Sequence, residues 1–89
     1  MPDARSILSQ LVTFVVRTLV DQPDAVQVEV REDAQGLLIA LRVAPADMGK
    51  VIGRQGRIAR ALRQVVRAAA VRAGTRAMLE IGSSEPTEG

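Results

Sequence analysis

The segment DMGKVIGRQGRIARALRQVVRAAA, residues 47–70, places Gly49, Gly53 and Gly56 inside what is otherwise one helical pattern. Glycine in a helix interior costs about 1 kcal/mol relative to alanine. A chain that carries three of them there needs backbone that a Cβ would forbid. The pattern therefore divides into three parts: a short helix opened by Pro45, a tight turn at Ile52-Gly53-Arg54-Gln55-Gly56, and a long helix over 57–73 that Gly74 ends. One glycine suffices to end a helix. Two glycines three apart leave bare backbone on both sides of the turn. With a helix N-terminus behind them, the turn's N–H groups suit a phosphate. Arg54 and Arg57 add charge around it.

The rest of the chain organises around this segment. Asp3 is placed to cap a helix over 4–21, with Ile7, Leu8, Leu11, Val15 and Leu19 at helical spacing. VQVEVR, residues 26–31, alternates as a half-buried strand, and EDAQG forms a hairpin loop with Gly36 free to take positive φ. LLIALRV, residues 37–43, is continuous enough for a central strand, and AMLEI, residues 77–81, is a short last one. The order is α-β-β-α-α-β. A helical crossover joins parallel neighbours, so the expected fold is α+β, a three-stranded mixed sheet with three helices on one face. Residues 1–81 make one domain, and GSSEPTEG, residues 82–89, reads as a disordered tail.

Composition narrows the function. Residues 42–76 hold nine basic side chains against the single acid Asp47, a net +8, while the remainder holds three basic and nine acidic groups, a net −6. That segregation suits a polyanion partner. On a projection of 57–73, Arg57, Arg60, Arg63 and Arg67 share one face beside the glycine turn. The apolar arc opposite is about 200° wide, where a helix on one sheet face needs about 100°. Ala59, Val66, Ala70 and Ala73 are the surplus, to be covered by the first helix or by a second protomer. Histidine, cysteine, tyrosine and tryptophan are all absent. No Ser or Thr stands beside a base, and Asp47 and Glu80 have no carboxylate partner. No catalytic, metal or cofactor site is expected. Neither a G-x-x-x-x-G-K-[ST] loop nor a G-x-G-x-x-G fingerprint is present. Phe14, the one aromatic residue, is expected in the core. ILSQLVTFVVRTLV is too short and too interrupted to span a bilayer, and no cleavage site follows it. With no cysteine, the cytoplasm is the expected compartment.

Val51-Ile52-Gly53-Arg54-Gln55-Gly56-Arg57-Ile58 resembles the V-I-G-x-x-G-x-I signature of KH domains, whose G-x-x-G loop clamps the backbone of about four nucleotides. The element order resembles the bacterial, type II arrangement. QPDAV after the first helix, LRVAP before the motif and GKVIG-x-QGRIA-x-A through it resemble the small bacterial single-KH proteins of the KhpA family, over about residues 4–81. The resemblance implies a non-catalytic protein that binds single-stranded RNA, an RNA chaperone or post-transcriptional regulator. Gly53, Arg54, Gln55 and Gly56 would clamp phosphate, with Lys50, Arg57 and Arg60 alongside. Ile52 and Ile58, with Ile39 and Leu41 from the central strand, would line a base groove. The implied partners are single-stranded RNA and either a second copy or the larger KH-containing protein KhpB, also called Jag, in a pair tied in some bacteria to cell elongation and division. No small-molecule substrate and no membrane is implied. Two other readings of the residues stand beside this one. In the first, the chain is a dimerisation or adaptor module whose glycines only make a turn. In the second, it is a helix-turn-helix on duplex DNA, though Gln64 is the lone base-reading polar residue on a helix of Arg and Ala.

Overall fold

Asp3 opens the first helix: its Oδ1 accepts the Ser6 N–H at 2.9 Å, which satisfies one of the amides that a helix start leaves unpaired. The helix, α1, runs Ala4–Leu19 in a computed structural model that describes residues 3–84. Its buried stripe is Leu8, Val12 and Val16, continued by Val20 at the C-cap. Of the expected face, Leu8 is buried, Leu11 and Val15 are half-buried, and Ile7 and Leu19 are exposed. Phe14, expected in the core, is 74% exposed. Apolar residues occupy more than half of the circumference of α1, so periodicity alone does not select the stripe. Contact with the sheet does.

Two strands follow, β1 (Gln27–Asp33) and β2 (Gly36–Val43), paired antiparallel around a two-residue turn. Asp33 Oδ1 accepts the Gln35 N–H at 2.7 Å and tightens the turn. Gly36 takes φ +133, and a Cβ there would lie 2.6 Å from the Arg76 carbonyl oxygen. That carbonyl accepts the Leu37 N–H at 2.8 Å. Gly36 thus serves the approach of the third strand as well as the hairpin.

After β2 come a single turn at Pro45–Asp47, the short helix α2 (Met48–Ile52), a turn at Arg54–Gly56 and the long helix α3 (Arg57–Arg72). The chain then enters β3 (Ala77–Ser83), parallel to β2, giving the order β1-β2-β3. This is the expected α+β architecture with β2 in the centre. The strand runs two residues beyond the expected end at 81: Gly82 pairs with Arg42, Ser83 with Val43, and the Ser84 N–H donates to the Val43 carbonyl at 2.7 Å. Residues 82 and 83 therefore belong to the sheet, and Ser84 is tied to its end. Residues 85–89, the rest of the expected tail, lie outside the described residues.

The core is aliphatic. Leu37, Ile39, Leu41 and Val43 of β2 meet the α1 stripe, Val51 of α2, Leu79 of β3, and Leu62, Val66 and Ala70 of α3. Val66 is 1% exposed, so the surplus apolar arc of α3 is covered within the chain. The exposed apolar residue on α3's other flank is Val65. Among the described residues no helix is long and apolar enough to cross a membrane.

Asp47 is the buried charge of this core, 1% exposed. Its carboxylate accepts the N–H groups of Asp21 at 3.2 Å and Gln22 at 2.9 Å. It fastens the chain leaving α1 to the start of α2. Replacing it leaves two amides without an acceptor, and a bond to a charged group is worth about 1.5–3 kcal/mol. Asp47→Ala should lower the unfolding free energy by about 3 kcal/mol in a denaturant titration, and Asp47→Asn, which keeps one acceptor, by less.

Candidate nucleic-acid interface

The turn between α2 and α3 places three residues of four at positive φ. Gly53 sits at φ 76, ψ 172, Gln55 at φ 58, ψ 24, and Gly56 at φ 72, ψ 18. The two glycines do different work. Gly53 occupies a backbone region that is essentially glycine-only, and a Cβ there would lie 2.6 Å from Ile58 Cγ1. At Gly56 nothing lies within 4 Å of the Cβ position, so its demand is for positive φ alone. Gln55 is a non-glycine residue in the left-handed region, uncommon enough to mark a constrained loop. Its conformation was not legible in the sequence.

Internal bonds hold the turn. The Gly53 N–H donates to the Gly49 carbonyl at 2.9 Å, and the Gly56 N–H to the Gly53 carbonyl at 3.1 Å. From the first turns of α3, Arg60 Nη2 donates to the Gln55 carbonyl at 3.3 Å and Arg57 Nη2 to Gln55 Oε1 at 3.5 Å. Gly56 is the N-cap of α3 and offers no side-chain acceptor, so no capping group meets the helix's first amides. The positive end of the helix dipole is aimed at whatever lies over the loop.

The expected site residues separate in space. Gly53, Arg54, Gln55, Gly56, Arg57 and Arg60 gather at the loop, with the four polar side chains exposed. Ile52 is 38% exposed on the rim. Ile58 is half-buried and packs under Gly53. Lys50 faces the other way: its Nζ lies 3.0 Å from Asp21 Oδ2 and 3.9 Å from Asp47 Oδ1. The hydrogen bond and charge of Asp21 raise its pKa above the ordinary 10.5. Ile39 and Leu41, expected in the groove, are fully buried core residues. The strand beside the loop is not central β2 but β3 at the sheet edge.

A groove of about 360 Å³ follows from that placement, lined by Ile52, Gly56, Ala59, Arg60, Arg63 and Ile81. Arg63 closes its far side, with Nε donating to the Leu79 carbonyl on β3 at 3.4 Å. Ala59, Arg63 and Ile81 were missed as site residues. Arg63 was legible as part of the basic face; Ile81 became so only with the strand order.

Charge is distributed by pairing as well as by count. Arg5, Arg17, Arg31 and Lys50 pair with Glu32, Asp24, Glu29 and Asp21 respectively. Among the described residues, Arg54, Arg57, Arg60, Arg63 and Arg67 make no ion pair with a carboxylate, and they line the loop and one flank of α3. Unneutralised positive charge therefore runs from the loop along α3, and Arg42, Arg72 and Arg76 also make no ion pair among the described residues.

The family described as KhpA/KhpB, KH domain, matches residues 9–81. The chain is 50% identical over 74 residues to the RNA-binding protein KhpA of Clostridium acetobutylicum, covering 83% of this chain and 99% of that one. It is 47% identical over 76 residues to the RNA-binding protein KhpA of Aquifex aeolicus, covering 85% and 96%. Among solved structures it is similar in fold to Aquifex aeolicus Era bound to GDP and aluminium fluoride. That likeness has a TM-score of 0.57 at 17% identity and covers 86% of this chain but 30% of Era.

The two glycines should respond differently to alanine. Gly53→Ala should cost about 2–3 kcal/mol, combining glycine-only backbone with the Ile58 clash, whereas Gly56→Ala should cost about 1–2 kcal/mol. Thermal melts of the two variants check the order.

Proposed function

Since the chain belongs to the KhpA/KhpB KH-domain family, we propose that it is a non-catalytic protein of the cytoplasm that binds single-stranded RNA. Its Gly53–Gly56 loop holds the phosphate backbone, and its bases lie in the groove between α3 and β3. The observation that carries this reading is the coincidence of the uncapped N-terminus of α3 with Arg54 and Arg57 at the loop and Arg60 and Arg63 in the adjoining groove, none of them paired with a carboxylate among the described residues. The relatives' name, RNA-binding protein KhpA, supports the ligand. Gly53, Arg54, Gln55, Gly56 and Arg57 form the clamp. Arg60 braces the loop, and Ile52 and Ile58 supply apolar surface beside it. Lys50 contributes once its pairing with Asp21 yields to a phosphate. An RNA chaperone or post-transcriptional regulator fits such a clamp, because phosphate contacts position a strand without reading its sequence.

The absence of tyrosine and tryptophan removes the usual aromatic platform, worth about 1–3 kcal/mol per base elsewhere. Binding should be micromolar or weaker and only slightly selective. With about three phosphates neutralised, log affinity should fall with log salt at a slope near −2. Arg54→Asp with Gln55→Asp places two negative charges at exposed positions, one of which aspartate tolerates well in left-handed backbone. The melting temperature should hold while RNA affinity falls at least tenfold, about 1.4 kcal/mol. A folded double variant with unchanged RNA binding would leave the loop as a turn only.

Assembly is the second part of the proposal. Ile7 and Phe14 on α1 and Val65 on α3 are exposed, and the two helices pack against each other. These exposed apolar side chains suit a second copy, or the larger KH-containing partner KhpB or Jag in a complex serving cell elongation and division. Two linked weak sites also raise avidity without new contacts. The same side chains are what an adaptor with little RNA binding of its own would use. Phe14→Glu with Val65→Glu should stay folded and scatter light as a monomer. A wild-type chain that is monomeric at every concentration would sink this part alone.

A further inference from the structure

A second cleft, of about 680 Å³, lies at the other end of α3, where the β1–β2 turn and the entry to β3 meet the helix's last turns. Its wall is apolar, with Leu38, Val71 and Met78; Val71 is 69% and Met78 71% exposed. Its rim carries Arg67, Arg76 and Asp33. Asp33 is engaged by the Gln35 amide. Neither arginine makes an ion pair with a carboxylate among the described residues. Exposed apolar surface beside two unneutralised guanidiniums is a poor arrangement for water and a good one for a base with its phosphate.

The cleft begins one helical turn beyond the groove at the loop. Arg63 lines the groove and reaches Leu79 on β3, and Arg67, one turn further along α3, lines the cleft beside Met78. Helix and strand run in opposite directions here, since Gly56 and Ala59 face Ile81 while Arg67 and Val71 face Met78. The 16 residues of α3 span about 24 Å, and the unpaired arginines follow that length. A clamp of about four nucleotides is anchored at the end nearest the loop.

We infer that single-stranded RNA longer than the clamp continues along α3 and seats a base in the cleft against Leu38, Val71 and Met78, with its phosphate on Arg67 and Arg76. This rests on the RNA-binding reading above and adds a distal subsite to it. The test compares oligouridylates of about four and about eight nucleotides by fluorescence anisotropy on the full chain at fixed salt. Val71→Ser with Met78→Ser keeps the charge and removes exposed apolar surface, so folding is retained. The eight-nucleotide RNA should bind this variant at least about fivefold more weakly than wild type, and the four-nucleotide RNA equally well. Arg67→Glu with Arg76→Glu should flatten the salt dependence for the longer RNA more than for the shorter. Equal losses on both lengths, or none on the longer, overturn the distal subsite while leaving the clamp intact. If neither RNA binds the wild-type chain, the RNA-binding reading falls and the subsite with it.

Discussion

The side chain of Ile58 rests against the bare Cα of Gly53, in the space a Cβ would need. This contact lets α2 end and α3 begin within four residues, because the chain can reverse only where Gly53 takes its glycine-only conformation. From that reversal follow the direction of α3 and the arrival of the next strand beside β2 rather than at the far edge. The exposure of the Arg54-Gln55-Gly56 backbone follows as well. Ile58 is thus also the support under the loop. A smaller side chain there would loosen the loop before it changed any surface that a ligand meets.

Asp47 performs the matching service on the other side of α2. A buried carboxylate that accepts two backbone N–H groups is held by the fold and in turn holds the end of α1. Lys50, close to both Asp47 and Asp21, reduces the cost of that burial. Gly53 and Asp47 together fix both ends of a five-residue helix that could not persist alone. The loop is presented from a rigid base, which matters for a clamp because ordering a mobile loop on binding would subtract from affinity.

Electrostatics and packing agree in direction. Acids pair with Arg5, Arg17, Arg31 and Lys50, away from the groove, and the arginines along α3 make no ion pair with a carboxylate among the described residues. Exposed ion pairs contribute little to stability; here their consequence is where positive potential remains. The edge of β3 takes part too. Arg63 covers the Leu79 carbonyl, which shields an edge that would otherwise invite another strand.

Element order, the glycine turn, the Asp3 cap, the central place of β2 and the basic face of α3 were all legible in the sequence, because each depends on local propensity or on a period of two or 3.6 residues. The family was legible too, from eight consecutive residues around the turn. Three things waited for the tertiary structure. Which stripe of α1 is buried depended on the sheet, and that placed Val12 and Val16 inside and Phe14 outside. Which strand borders the loop depended on the crossover, and it replaced Ile39 and Leu41 by Ile81. Whether a charge is free depended on its neighbours in space, and Asp21, distant in sequence, engages Lys50 while the arginines of α3 are left open. Periodicity is a property of one segment, whereas burial, adjacency and charge pairing are properties of two segments brought together, and only the folded chain brings them together.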